Sequence, residues 1–328
     1  MREAISSFNT SSATGLFSDY LELSKARLSA LVVVTTCVGY LLALSNELSI
    51  LHFFFTLLGT GFAAAGANAF NQWLEIPRDA QMERTHLRPL PSGRMSARHG
   101  FLAAAALSAT GVFVLLLATN ALTALLALSN ILIYVLLYTP LKARNSLCTL
   151  VGAVCGAIPP MMGWTAVRGE LDYAAWILAA ILFIWQIPHF LALAWLYRDD
   201  YKRGGFRMLP LIDPVGRITC QVIVIYTLAL IPLGACLALT GLTGWVSVLG
   251  SVAIGVYFFI LSIRLYFQRN DHNARSVFFA SLIYLPLVLG FMVIDKQELP
   301  PQGAMISQAQ LEQDLTYADL DRIHVNLQ

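Results

Sequence analysis

Apolar residues are concentrated in nine long runs that are separated by short polar segments. Each run has about 20 residues, which is the length that a helix needs to cross the hydrocarbon core of a bilayer. We expect every run to be a helix, because unpaired backbone groups are costly in lipid and the sequence lacks the short alternating segments of a membrane barrel. The predicted spans are residues 28–46, 50–72, 99–118, 121–139, 148–166, 174–196, 217–239, 243–266 and 276–294.

The composition agrees with this pattern. Charged residues make up 12% of the chain, about half the share of a soluble domain, and hydrophobic residues make up 57%. We predict an all-α polytopic membrane protein with nine transmembrane helices around a central cavity. The predicted regions are an N-terminal cytoplasmic tail (1–27), the nine-helix domain (28–294) and a polar C-terminal tail (295–328). The five cysteines have no metal-binding or redox spacing, and nothing indicates nucleic-acid binding.

The basic residues predict the topology. All lysines and arginines except Arg168, Lys296 and Arg322 lie in the N-terminal segment or at the loops that follow spans two, four, six and eight. The positive-inside rule therefore places the N-terminus in the cytoplasm and the C-terminus outside. The short N-terminal segment resembles neither a signal peptide nor an Arg-rich transit peptide, so a multi-pass protein of the cell inner membrane is favoured over a mitochondrial one.

A polar stretch, NQWLEIPRDAQMERTHLRPL, follows the second apolar run directly. On a helix, Asn68, Asn71, Glu75 and Asp79 share a face about 80° wide, so their side chains can converge on one ligand. Pro77 removes one helical hydrogen bond, and we expect the helix to kink or end just before Asp79.

Three arginines, Arg84, Arg88 and Arg94, come next. Acids beside arginines suit a diphosphate held through Mg²⁺, because carboxylate and amide oxygens bind the metal and guanidinium groups bind phosphate oxygens. The alternative is a solvated helix end or a surface salt-bridge network. That alternative explains the composition but not the regular spacing of the oxygen donors.

A second polar cluster closes span six in WQIPHFLALAWLYRDDYKRGGFRMLPL. Gln186 and His189 lie inside the apolar run, and Pro188 predicts a kink that borders a cavity or another helix. The charged residues that follow are Asp199, Asp200, Lys202, Arg203 and Arg207. If the helix continues, His189 and Asp200 share a face, and one elongated cavity could contact both. An ionisable residue inside a membrane helix indicates function, although a packing role for His189 is the alternative.

The segment between the clusters contributes further candidates. Tyr138, Lys142 and Arg144 lie in a loop on the same predicted membrane face as both clusters. Pro159 and Pro160 in span five permit a bend, and the glycines around them permit close helix approach. Helix packing and ligand contact both remain possible for this span.

These motifs resemble the intramembrane prenyltransferases. The segments YTPLKARN, GAIPPMMGW and WQIPHFLALAWLYRDDYKRGGFRMLP are similar to the branch of that family that modifies haem, over roughly residues 20–294. Glu75 stands where an aspartate is common in the family. Asp199 and Asp200 are adjacent, and Gly204 stands where relatives often have a second, spaced aspartate. That leaves open which of the two binds metal, with Asp200 favoured.

The resemblance implies transfer of a farnesyl group from farnesyl diphosphate to a vinyl group of haem B, with water completing the new side chain, to give haem O and diphosphate. It implies Mg²⁺ as the cofactor, with haem B as a substrate. The allylic cation needs a dry, apolar chamber so that the vinyl carbon reacts with it before water does. The implied partners are the lipid bilayer and haem A synthase or terminal oxidase assembly proteins.

The resemblance also assigns residues to roles. The implied metal ligands are Asn71, Glu75, Asp79 and Asp200, with Asp199 as the alternative to Asp200. The implied diphosphate-binding residues are Arg84, Arg88, Lys142 and Arg203. His189 is the candidate for contact with the haem iron, for contact with a haem propionate, or for handling the proton of the added water.

Two other functions remain open at this point. One is prenyl transfer to another acceptor, such as an aromatic quinone precursor. The other is a haem transporter or carrier whose charged loops only bind ligand. Transporters often contain inverted repeats, whereas both acidic clusters here lie on one predicted face, which favours an enzyme.

Overall fold

The computed structural model describes residues 15–45 and 47–298. Within these ranges, nine helices are long and apolar enough to cross a membrane. They are α1 (Ala26–Ala43), α2 (Ile50–Asp79), α3 (Ala97–Ala118), α4 (Ala121–Leu141), α5 (Cys148–Arg168), α6 (Tyr173–Leu196), α7 (Arg217–Leu239), α8 (Trp245–Phe267) and α9 (Asp271–Ile294). The predicted all-α fold with nine transmembrane helices is confirmed.

Short helices lie outside these spans. Residues 15–23 form a helix before α1, and Arg198–Arg203 and Leu209–Ile212 form two helices between α6 and α7. Residues 1–14 of the predicted N-terminal tail and residues 299–328 of the predicted C-terminal tail lie outside the described residues.

Two helix boundaries differ from the prediction for local reasons. α2 continues past Pro77 to Asp79, because a proline in the last turn of a helix removes one backbone hydrogen bond without preventing the turn itself. α9 begins at Asp271 rather than at residue 276. Asn270 caps it by accepting a hydrogen bond from the backbone N–H of Asn273, a signal that a search for apolar runs does not detect.

The continuous helix considered for His189 and Asp200 is interrupted. α6 ends at Leu196, Tyr197 has a non-helical conformation, and Asp200 belongs to the separate helix Arg198–Arg203. The break allows the second acidic cluster to turn away from the axis of α6.

α5 and α6 lie at the centre of the helix bundle. In α5, 72% of the spanning window is buried, and in α6 56%, whereas the value for every other span is at most 39%. α5 packs on α1, α4 and α6, and α6 packs on α7 and α9. α1 also contacts α9, so α1, α2, α4, α5, α6 and α9 surround one cavity.

Glycines bring α1 and α5 into backbone contact. A Cβ atom added to Gly163 would lie 1.9 Å from the carbonyl oxygen of Thr36, and one added to Gly39 would lie 2.1 Å from that of Pro160. The hydroxyl of Thr36 also donates to the carbonyl of Pro159 at 3.0 Å. Small residues of this kind let membrane helices approach closely, so they fix the position of α1 against the centre of the bundle.

We expect Gly163→Ala to destabilise the protein by about 1–3 kcal/mol, because the new methyl group forces α1 away from α5. The measurement is the thermal unfolding midpoint in detergent. Gly290→Ala in α9 is the matched control, since no atom lies within 4 Å of a Cβ there. Equal midpoints for the two variants would contradict the proposed packing role of Gly163.

Candidate active site

The predicted polar face of α2 lies inside the protein. Asn68, Asn71, Glu75 and Asp79 are all buried, with side chains pointing to the same side of the helix near its C-terminal end. Buried carboxylates are costly unless they are paired or bind a metal, so their partners decide what this face can do.

Both carboxylates of α2 are paired with cations. Arg88 donates to Asp79 Oδ2 at 2.7 Å, and Lys142 Nζ lies 3.3 Å from Glu75 Oε1. The second carboxylate oxygen of Asp79, Oδ1, is buried and has no hydrogen-bond partner within the described residues. Arg88 comes from the loop after α2 and Lys142 from the loop after α4.

A third cation reaches the same face from the N-terminal side of α1. Lys25 Nζ donates to Asn71 Oδ1 at 2.5 Å, and the Asn71 amide donates to the Thr139 hydroxyl at 3.0 Å. Because both ends of the amide are bound, its orientation is fixed with the oxygen towards the cations. Asn71, Glu75 and Asp79 thus each have one cation beside them.

Lys25 was not predicted as a site residue. It is the one non-glycine residue with positive φ in the described chain, at φ 46° and ψ 55°, a conformation that L residues rarely adopt. The pKa of Lys25 is lowered to about 7, first by burial and then by the positive charge of Arg88, while Glu75 acts in the opposite direction. A strained backbone that aims a desolvated cation into a cluster of charges is typical of a functional site.

The second cluster meets the loop that follows α2. Asp200 is buried, and its Oδ1 accepts a hydrogen bond from the backbone N–H of Glu83 at 2.9 Å. Arg203 lies 3.4 Å from Asp200 and 3.0 Å from the Glu83 carboxylate. Asp199 is exposed and forms no hydrogen bond or ion pair with any residue that the structure describes. The two neighbouring aspartates therefore have different environments.

Glu83 connects the segment of Asp79 to Asp200. Glu83 is four residues after Asp79, so their Cα atoms are at most about 15 Å apart. The backbone of Glu83 in turn contacts the Asp200 carboxylate. The hydrogen bond between Glu83 and Asp200 holds the two acidic clusters close enough to contact one diphosphate.

The donor set suits a hard cation that is bound together with its ligand. Within the described residues, no three His, Cys, Asp or Glu side chains are grouped closely enough to hold a metal by themselves. Asn71 and the buried, unpaired Oδ1 of Asp79 nevertheless offer oxygen donors, which Mg²⁺ prefers. Mg²⁺ commonly uses only one or two carboxylates and completes its coordination with phosphate oxygens and water.

Aromatic rings hold two of the predicted cations near the site. Arg84 lies over the rings of Tyr197 and Tyr201, at 5.3 and 5.8 Å from the centroids. Lys142 lies 4.2 Å from the centroid of Phe206 and 5.6 Å from that of Tyr201. Arg84 makes no ion pair with a described residue, so its charge is available to an anionic ligand.

Arg94 lies outside this arrangement. It binds Asp19 at 3.1 Å and Glu22 at 2.7 Å, which fastens the helix of residues 15–23 to the loop before α3. Gln72 donates to the backbone carbonyl of Glu22 on the same segment. These contacts position Lys25 rather than contribute to the polar face of α2.

A π-helical segment of α4, Ile133–Tyr138, borders the polar face. It places the rings of Tyr134 and Tyr138 in a stack with centroids 5.1 Å apart, and the Tyr134 hydroxyl donates to Asn68 Oδ1 at 3.3 Å. Such π-helical turns are frequent at functional sites. The two rings stand between the charged cluster and the interior of the protein.

An apolar cavity of about 600 Å³ begins at these tyrosines and extends between α1, α5, α6 and α9. Its few polar lining residues include Asn68, Tyr134, Gln186 and His189. Both hydrogens of the Gln186 amide nitrogen are used, since it donates to the carbonyls of Ala153 and Leu182. The size and mainly apolar lining are those of a small-molecule site.

His189 is held firmly on the α6 wall of this cavity. Its Nδ1 lies 2.8 Å from the Ser281 hydroxyl on α9. Its ring stacks between Trp185 and Phe278, with both centroids 5.1 Å away. The residues that line this cavity thus include His189 and Asn68 of the polar face, but not the carboxylates Glu75, Asp79 and Asp200. The lining does not bear out one elongated cavity that contacts both His189 and Asp200.

Comparison with known proteins gives close relatives. The chain is 41% identical over 290 residues to protoheme IX farnesyltransferase of Solibacter usitatus, a match that covers 86% of this chain and 99% of the relative. It is 42% identical over 275 residues to the mitochondrial protoheme IX farnesyltransferase of Homo sapiens, covering 84% of this chain and 61% of that one.

Solved structures share the fold. A structure of digeranylgeranylglyceryl phosphate synthase matches with a TM-score of 0.73 at 19% identity, over 85% of this chain and 98% of its own. A UbiA homologue from Archaeoglobus fulgidus bound to GPP and Mg²⁺ matches with a TM-score of 0.61 at 18% identity, over 84% of this chain and 99% of its own.

The sequence profile of the UbiA prenyltransferase family matches residues 32–283, a segment that runs from α1 to α9. This segment holds both acidic clusters, Arg88, Lys142 and most of the residues that line the apolar cavity, whereas Lys25 precedes it. The chain therefore belongs to the UbiA prenyltransferase family.

Proposed function

We propose that the chain is a protoheme IX farnesyltransferase whose diphosphate site is the charged cluster at the ends of α2 and α6. It transfers a farnesyl group from farnesyl diphosphate to a vinyl group of haem B, giving haem O and diphosphate. The sequence identity of 41% over 99% of a protoheme IX farnesyltransferase supports this reaction. The observation that carries the site assignment is the pairing of Asn71, Glu75 and Asp79 on α2 with three cations, beside an apolar cavity.

Mg²⁺ would be held by Asn71, Glu75, Asp79 and Asp200 together with the diphosphate. Bound there, it would act as a Lewis acid and stabilise the negative charge of the leaving group. A Mg²⁺-bound relative of the same fold and the unpaired Oδ1 of Asp79 support this assignment. The exposure of Asp199 favours Asp200 over it as the ligand.

The cations of the site bind the diphosphate. Lys25, Arg88 and Lys142 leave their oxygen partners on α2 and donate to phosphate oxygens. Arg84 from the loop after α2 and Arg203 from the helix Arg198–Arg203 add further positive charge. Hydrogen bonds between charged groups are stronger than neutral ones, and these donors are already in place before the substrate ionises. Negative charge that develops on the leaving group therefore meets preorganised donors.

The cavity separates the reactive cation from water. Tyr134 and Tyr138 stand between the diphosphate and the apolar interior, where the farnesyl chain and the porphyrin bind. His189 contacts the haem on the α6 wall. The vinyl carbon then lies closer to the allylic cation than bulk water does, and only the water that completes the side chain needs to be admitted.

The membrane orientation and partners stay predictions. The basic residues of the site cluster at one end of the bundle, which supports a cytoplasmic active site, a cytoplasmic N-terminus and an outer C-terminus. The nine apolar helices support a multi-pass membrane protein, and the cell inner membrane stays the proposed location. Haem A synthase and terminal oxidase assembly proteins stay candidate partners, and residues 28–294 stay the proposed catalytic domain.

The direct test of the reaction is to incubate the purified protein in lipid nanodiscs with farnesyl diphosphate, Mg²⁺ and either haem B or an aromatic quinone precursor. We expect mass analysis to find haem O from haem B and no prenylated quinone precursor. Farnesylation of the quinone precursor alone would overturn the proposed acceptor.

Asp200→Asn should lower kcat/KM for haem O formation by about 10²-fold or more, because one metal-binding carboxylate is lost. Asp199→Asn is the matched control and should stay close to wild type, since it removes the same charge from the neighbouring exposed position. Equal losses in the two variants would show that the effect is one of general charge, and the assignment of Asp200 would be wrong.

Lys25→Gln should weaken binding of farnesyl thiodiphosphate, an unreactive analogue, by about 10- to 100-fold, because a hydrogen bond to a charged group is lost. Haem binding should not change. Lys202→Gln, on the exposed side of the helix Arg198–Arg203, removes the same charge and serves as control. Calorimetry measures both affinities, and an unchanged affinity for the analogue would remove Lys25 from the site.

A further inference from the structure

The hydrogen bonds of Ser281 determine which nitrogen of His189 carries the proton. Ser281 Oγ lies 2.5 Å from the backbone carbonyl of Phe278 and 2.8 Å from His189 Nδ1. Two oxygens at 2.5 Å must share a hydrogen, so the hydroxyl donates to the carbonyl. A serine hydroxyl has only one hydrogen, and Ser281 can therefore only accept from His189.

Nδ1 therefore carries a hydrogen, and the imidazole is neutral, because a charged ring with no acidic partner among the described residues is costly in an apolar chamber. Nε2 carries a lone pair, and no residue within the described ranges forms a hydrogen bond to it. The side chain of His189 lines the apolar cavity. An unprotonated ring nitrogen without a protein partner, in an apolar chamber, is suited to bind a metal.

The ring cannot easily turn to present its other nitrogen. Trp185 and Phe278 stack on it at interplanar angles of 20° and 25°. The Trp185 indole N–H donates to the backbone carbonyl of Ser281 at 2.7 Å. Ser281 therefore anchors both His189 and one of the rings that flank it, and it does so from α9, across the interface with α6.

We propose that Ser281 is a positioning residue that holds His189 in the Nδ1–H form, so that Nε2 ligates the iron of haem B. The inference rests on the proposed contact between His189 and the acceptor. The inference selects contact with the haem iron from the three roles that the sequence left open for His189. A propionate would require a donor at Nε2, whereas iron requires the lone pair that the Ser281 hydrogen bond leaves there.

Ligation of the iron would fix the porphyrin at its centre and leave its edge free. The reacting vinyl group is on that edge, so the haem could be held without a contact that blocks the site of attack. A partner that orients a metal-binding histidine typically changes metal affinity by about 10- to 100-fold when it is removed. That range gives the size of the effect expected for Ser281.

The test compares Ser281→Ala with Ser262→Ala. Both serines are fully buried and donate to a carbonyl of their own helix, Ser262 to Phe258, but only Ser281 contacts a histidine. We expect Ser281→Ala to weaken haem B binding by about 10- to 100-fold and to alter the axial-ligand signature of ferric haem in absorption and electron paramagnetic resonance spectra. Affinity for farnesyl thiodiphosphate should not change, which shows that the variant is folded.

His189→Ala separates this inference from the proposed haem contact. It should abolish the histidine signature, and added imidazole should restore a nitrogen ligand to the bound haem. If His189→Ala loses the signature while Ser281→Ala matches Ser262→Ala, only the role of Ser281 is overturned. If wild-type protein binds haem without a histidine nitrogen on the iron, ligation is overturned regardless of how the variants fold.

Discussion

The pairing of buried oxygen donors with cations on α2 is the interaction on which the site depends. Asn71, Glu75 and Asp79 could not stay buried together without compensating charge, and Lys25, Lys142 and Arg88 supply it. The same pairing explains why metal and diphosphate belong together. Mg²⁺ alone would bind the oxygen donors and leave the three cations without their partners, and diphosphate alone would bind the cations and leave the carboxylates without theirs. When both bind together, the oxygen donors pair with Mg²⁺ and the cations pair with the diphosphate.

These cations come from parts of the chain that are far apart in sequence. The site therefore forms only if the helices place the three segments correctly at one end of the bundle. Lys25 precedes α1, Arg88 follows α2, and Lys142 follows α4. The close contact between α1 and α5 at Gly163 fixes the helix that follows Lys25. The packing of α1 on α5 therefore helps to position the charge of Lys25 beside Asn71.

Sequence patterns predicted the features that are local. The spans followed from apolar length, and the polar face of α2 followed from the helical repeat of Asn71, Glu75 and Asp79, which survives Pro77. Asp200 was favoured over Asp199 through a resemblance, and the structure adds a difference in burial that adjacent positions in a sequence do not reveal.

The features that the sequence did not predict depend on contacts between distant segments. Lys25 lies 46 residues before its partner Asn71, in a segment without an acidic motif. Its left-handed backbone conformation could not be predicted, because that conformation is typical of glycine and not of lysine. Ser281 lies 92 residues after His189 and is one of many small residues in an apolar helix. The one available signal was that a lysine at the mouth of a span lies at the same membrane face as the acids.

Different helices surround the charged cluster and the apolar cavity, because the two substrates require different environments. The proposed diphosphate site requires charge, and the ends of α2, α4 and α6 supply charged side chains at one end of the bundle. The proposed site of the porphyrin and the farnesyl chain requires an apolar chamber, and α1, α2, α4, α5, α6 and α9 surround one. The break at Tyr197 lets the region around α6 contribute to both: His189 lies on α6 and lines the chamber, while Asp200 turns towards the loop after α2.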